Sequence, residues 1–320
     1  MDEDYQLIVH PSTVESPPAG GEELVGRGMN RASDILGAVP PGGRVMPRRG
    51  SVGPCHVCGQ IAQLTFEHMP PRAAGNSRPR RAVDLATSLT NPVEEFPSRG
   101  WVPMQRGMGM YATCMRCNSF SGTAYVPAYL QFISILAGGL QDWAERADRA
   151  GETRAPAELH LTIRPVQPGA VMRQVLFMLL AASGSAGLGN RYPLLREIVQ
   201  NKTPVALPPE MAVRMTLLVA QRARLHPVVA EADFQAGRER VMVEVAFTPC
   251  AWLLEIGDPS ARGAANVSAW TQVPADEEQE VNLTTTVGSV VTALPADYRH
   301  RSEIPDDELA EADQQAAHLP

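Results

Sequence analysis

Two CxxC pairs, Cys55–Cys58 and Cys114–Cys117, bracket a Glu67-His68 dipeptide, and Asn118 directly follows the last cysteine. Each of these residue types has a chemical use. A CxxC turn points two sulfurs at one place, and two such turns supply the four soft ligands of a tetrahedral structural zinc. Zinc leaves Glu67, His68 and Asn118 unexplained. Cleaving a phosphodiester with one hard cation takes a base for water, oxygen ligands for the cation and positive charge near the phosphate. An imidazole suits the first task, and a carboxylate with an amide oxygen suits the second. Arg72, Arg78, Arg80, Arg81 and Arg116 are the candidates for the third. Each residue also has a plainer reading: His68 as a capping or core histidine, Glu67 as a surface acid, Asn118 as a helix cap, Arg116 as a solvated side chain.

Charge gathers around the same stretch. The whole chain has 320 residues and a formal net charge of −7. Residues 44–118 nevertheless hold ten arginines and four acids, whereas residues 1–43 hold seven acids and two arginines. A basic patch flanked by acidic ends suits a polyanion, and fits RNA as well as DNA. The plainer reading is a solvated surface.

The positioning elements can be read coarsely. Residues 1–50, rich in Pro, Gly and acids, read as mostly disordered, with a short helix near 29–36. Residues 51–135 read as a small module that a metal helps to organise. Adjacent strand residues point to opposite faces, so Glu67 and His68 need a bend to address one site. The double proline Pro70-Pro71 fits an abrupt strand end. A helix is expected behind Asn118, with apolar residues from Tyr125 to Trp143 at spacings of three and four. Residues 136–301 read as a second α+β domain: a strand over 158–166, helices over 168–184, 191–200 and 208–225, two strands over 240–258 and another over 281–294. Residues 302–320 form an acidic tail. His56, inside the first knuckle, is expected to face solvent, because four cysteines fill the tetrahedron. Cys250 is expected to be a buried small hydrophobe. No apolar run reaches membrane-spanning length, the N-terminus lacks the basic and apolar regions of a secretory signal, and paired reduced cysteines fit the cytoplasm.

The order CxxC, Glu-His, CxxC-Asn resembles the zinc-stapled form of the HNH, or ββα-metal, endonuclease family, over roughly residues 52–135. The resemblance implies structural Zn²⁺ on Cys55, Cys58, Cys114 and Cys117. It also implies His68 as general base, Glu67 and Asn118 as ligands of a catalytic Mg²⁺ or Mn²⁺, and DNA as substrate. In that family a middle asparagine orients the base. Asn91 is the first candidate here and Asn76 the other. Glu67 stands where Asp is commoner. The fold class expected is therefore α+β, a ββα-metal module plus a C-terminal α+β domain of unknown type. By analogy with the bacterial chains that this one resembles, a role in anti-phage defence or a mobile element is the expectation. The alternative is a non-catalytic zinc-stapled module that binds nucleic acid or protein. Homo-oligomerisation, and a regulatory ligand or protein partner on the C-terminal domain, stay open.

Overall fold

The computed structural model describes residues 6–11, 50–78, 80–82, 102–104, 106–150, 158–184, 187–218, 223–233, 238–257 and 264–286. In chain order the elements are β1 (Gln6–Pro11), β2 (Val52–Pro54), β3 (Ile61–His68), β4 (Arg80–Ala82), β5 (Val102–Met104), β6 (Gly109–Cys114), α1 (Met115–Ala124) and α2 (Val126–Ala150). They continue with β7 (Glu158–Val166), α3 (Pro168–Ala182), α4 (Leu188–Arg191), α5 (Pro193–Gln200), β8 (Met211–Leu217), β9 (Arg224–Asp233), β10 (Arg238–Phe247), β11 (Cys250–Ile256), β12 (Ala265–Asn266) and β13 (Gln279–Thr286). Strand pairing is antiparallel in four sheets, ordered β2-β3-β6, β4-β5, β1-β7-β13 and β12-β8-β11-β10-β9. Segregated helices and antiparallel strands make the fold α+β.

Helix α3 is the hub. Its sequence, PGAVMRQVLFMLLAA, is apolar on all sides, and every one of its residues is buried, as expected for a helix with no solvent face. It packs against α1, α2, α5, β6 and strands β9 to β11. Arg173 breaks the apolar run, yet it is 0% exposed. Its guanidinium donates from Nε to Asn201 O (2.8 Å), from Nη1 to Gly169 O (2.8 Å) and Val273 O (3.0 Å), and from Nη2 to Lys202 O (3.1 Å) and Thr203 O (2.6 Å). All five N–H donors of the guanidinium thus meet backbone carbonyls. A second tie runs through aromatic rings. Phe132 of α2 lies edge-on to Trp270 (centroids 5.5 Å) and tilted against Trp252 of β11 (6.0 Å).

Three findings differ from the sequence reading. Within residues 208–225, read as a helix, Met211–Leu217 form β8 and Arg224 starts β9. Met211, Val213, Met215 and Leu217 also alternate with period two, and pairing with β11 selects the strand. β1 lies within the segment read as disordered. Its Leu7-Ile8-Val9 core pairs with β7, whereas the helix expected near 29–36 falls outside the described residues. The boundary set at 135/136 falls inside α2, whose apolar periodicity carries straight across it. The strand expected over 281–294 is present as β13 up to Thr286, and its remaining residues lie outside the described ones. Among the described residues no single helix is long and apolar enough to cross a membrane. Cys250 is buried as expected, at 1% exposure.

Replacing Arg173 with Met leaves five carbonyls without their donors. Chemical denaturation should show a loss of about 3–5 kcal/mol; a loss below about 1 kcal/mol would contradict the stapling role.

Candidate metal centre and adjoining polar site

The first knuckle forms where β2 turns into β3. Cys55 N–H donates to Gln60 O (2.9 Å) and Gly59 N–H to Cys55 O (2.7 Å). Gly59 has φ +75°, and a Cβ there would meet Asn190 Oδ1 at 2.8 Å and Arg196 Nη2 at 2.9 Å. The left-handed backbone conformation favours glycine, whereas the two neighbouring atoms are ends of flexible side chains that can move aside. The second knuckle spans the junction of β6 and α1. Cys114 caps the helix and Cys117 sits in its first turn. Helix α1 therefore starts at Met115, one knuckle earlier than a start at Asn118.

The four sulfurs lie within 4.8 Å of one another, and Cys58 Sγ is 3.9 Å from Cys114 Sγ. Tetrahedral zinc with bonds of about 2.3 Å would set sulfur pairs about 3.8 Å apart. All four cysteines are free thiols. Cys114 N–H donates to Cys55 Sγ at 3.3 Å. A hydrogen bond from Cys117 depresses the Cys55 thiol to about 4, while that same bond and burial push Cys117 far up. Burial also raises Cys58. Crowded thiols of this kind cannot all ionise unless a cation offsets their charge. The donor set can bind a metal such as zinc.

His56 does not face solvent. It is 9% exposed, and its Nδ1 lies 2.8 Å from Ala181 O. That carbonyl belongs to the last turn of α3, where no intrahelical partner is left.

Thr65, Glu67, Thr113 and Asn118 form one polar chain. A β-bulge shifts register so that Thr65 faces Thr113 while Phe66 faces Tyr111, leaving Ala112 as the extra residue. Asn118 Nδ2 donates to Thr65 Oγ1 (3.0 Å) and to Phe66 O (3.4 Å). Thr65 Oγ1 and Thr113 Oγ1 are 3.3 Å apart, and Thr113 Oγ1 donates to Glu67 Oε2 at 3.4 Å. Glu67 is 6% exposed. Burial pushes its carboxyl up to about 8, against the lowering effect of Thr113.

His68 stands apart from this chain. The bend expected between Glu67 and His68 is absent: they pair regularly with Met110 and Gly109, so their side chains take opposite faces of β3. His68 shares its face with Phe66, whose ring is edge-on at 4.9 Å. Burial lowers its pKa below the usual value, and the Arg72 and Arg106 charges lower it further; a hydrogen bond to the Arg106 backbone acts the other way. A ligand touching both His68 and the Glu67–Asn118 face must therefore sit at the end of β3.

Asn76 holds that end in place. It is fully buried, donates from Nδ2 to Pro70 O (2.8 Å) and Met108 O (2.7 Å), and accepts from Met108 N–H (2.7 Å). Gly107, with φ +83°, lies so close that a Cβ would collide with the Asn76 backbone. Arg106, which receives His68, directly precedes this clamp. Asn91 lies outside the described residues.

Of the candidate arginines, Arg72 and Arg116 are exposed and Arg78 is half-buried. Arg80 and Arg81 lie on β4, paired with Met104 and Pro103. Arg106, exposed and 3.5 Å from the Tyr111 hydroxyl, was not among the candidates. Its place at the start of the Gly-rich stretch RGMGMY ahead of the second CxxC pair was the available signal.

Comparison with family models, with curated proteins and with solved structures finds no match to this chain.

Cys114→Ser removes one of four sulfurs. Elemental analysis should fall from one zinc per chain to well below half, with a large drop in the thermal midpoint, because metal binding energy here is folding energy. Full zinc retention would contradict the four-sulfur site.

Proposed function

We propose that the chain is a divalent-metal-dependent endonuclease of the HNH type that hydrolyses DNA phosphodiesters. The observation that supports this most is the hydrogen-bonded chain tying Glu67 and Asn118 to one strand face beside the four-cysteine cluster, with His68 at the end of the same strand. Structural Zn²⁺ belongs on Cys55, Cys58, Cys114 and Cys117. The Glu67 carboxylate and the Asn118 amide oxygen are the hard donors for Mg²⁺ or Mn²⁺. Asn118 directs its nitrogen to Thr65 and Phe66, which leaves its oxygen as the ligand atom. An uncompensated carboxylate buried as deeply as Glu67 is costly, and a bound cation offsets that cost. Such a cation supplies electrostatic stabilisation of the charge that develops on the phosphate oxygens.

The chain's own groups do the rest. His68, neutral at physiological pH, takes the proton from the attacking water at its free ring nitrogen. The Arg106 backbone fixes the ring, and Asn76 fixes the segment carrying Arg106. Asn76 thus takes the orienting role first assigned to Asn91. Arg72 and Arg106 attract the phosphate toward His68.

A second reading is a zinc-stapled binding module without catalysis. It is favoured by the deep burial of Glu67 and by the opposite faces taken by Glu67 and His68. Nicking of supercoiled plasmid in Mg²⁺ or Mn²⁺ separates the two. The nuclease reading predicts nicking by the unaltered protein and a loss of about 10²–10⁴-fold in His68→Ala, with zinc content unchanged. Absence of nicking in either metal supports the binding module. Asn76→Ala should also slow nicking without changing zinc content, whereas an unchanged rate would remove it from the positioning role.

A further inference from the structure

Three large apolar side chains stand in solvent at one end of the Glu67–Asn118 face. Val52 is 70% exposed, Ile61 71% and Met115 70%. Val52 pairs with Gln63 and Pro54 with Ile61, so these four side chains share a face of the sheet, and all are exposed. The same alternation along β3 leads to Thr65 and Glu67. Met115 opens α1, one residue past the Leu64–Cys114 pair and three before Asn118. That spacing sets it beside Asn118 on the helix surface. An apolar rim therefore adjoins the Thr65–Asn118 end of the site.

Charge decides which partner fits. Residues 50–124 hold seven arginines (72, 78, 80, 81, 99, 106 and 116) and four acids (Glu67, Asp84, Glu94 and Glu95), a net positive stretch. Arg116, next to Met115, is exposed. Positive charge beside bare apolar side chains suits a polyanion that also offers apolar faces. A nucleic acid does so where a base step is open, and apolar wedges between base steps are an established mode of contact.

We propose that Val52, Ile61 and Met115 contact sugars and base faces of DNA opened beside the cleaved bond, so that the protein favours duplexes with an unstacked or unpaired step. This rests on the nuclease reading for the place of the substrate, and adds its class.

The test uses the full chain carrying His68→Ala, which prevents turnover. Fluorescence anisotropy in Mg²⁺ compares a perfect duplex with the same duplex bearing a short unpaired bulge. The bulged probe should bind about tenfold tighter. Adding Ile61→Ser and Met115→Ser should reduce that preference to less than about twofold, with zinc content and thermal midpoint unchanged. Val52→Ser alone should reduce it in part. Equal affinity for the two probes overturns the proposal, as does a preference that survives these substitutions. A change in oligomeric mass with DNA preference intact also overturns it, and assigns the rim to a protein partner. Hydrolysis of bis(p-nitrophenyl) phosphate by the unaltered chain is measured separately. Its absence counts against the nuclease reading, whereas the bulge preference is judged by anisotropy alone.

Discussion

Four sulfur atoms decide whether the polar site can exist. Cys55 and Cys58 sit on the turn before β3, Cys114 and Cys117 on the junction of β6 and α1, and their convergence locks together segments more than fifty residues apart that the β3–β6 ladder already pairs. Closing that loop costs entropy that grows only logarithmically with its length. One metal–sulfur cluster can offset it, because structural zinc contributes on the order of 10 kcal/mol to folding. The cluster adds to the β3–β6 ladder that leads into α1, and to the hydrogen bonds of Asn118 and the threonine pair.

The cluster is anchored from the far side by the second half of the chain. His56 meets the last turn of α3. Ser121 donates to Gln174 at 2.5 Å, and the Tyr125 hydroxyl to Val199 O at 2.9 Å. Gly59 is pressed against Asn190 and Arg196. Buried residues of the cysteine module and of α3, α5 and the five-stranded sheet form one hydrophobic cluster. Helix α2 runs unbroken across the place where two domains were expected to part. A ligand or partner that moved α3 would therefore act on the knuckle directly, through the His56 contact.

Much of this was legible in the sequence, for local reasons. Cysteine spacing named the cluster because a CxxC turn brings its own sulfurs together whatever surrounds it. The strand ending before Pro70 and the buried helix over 168–182 followed from proline chemistry and from apolar residues on every side. Residues 208–225 misled because Met211 to Leu217 carry both periods, and only the partner strands β11 and β12 choose between them. The opposite faces of Glu67 and His68 could be anticipated from strand geometry. The bulge that brings Thr113 toward Glu67 could not, since it depends on how β6 slips past β3. Asn76 needed the returning strand: its three hydrogen bonds reach Pro70 and Met108, and neither bond to Met108 is visible from the Asn76 neighbourhood alone.

X-ray absorption at the zinc edge tests the clamp most directly. The expected result is a shell of four sulfur neighbours at about 2.3 Å in the purified chain. A shell of three sulfurs and one nitrogen would require His56 to leave Ala181 for the metal. That result, or a chain that folds fully without zinc, would contradict the tetrathiolate on which the polar site depends.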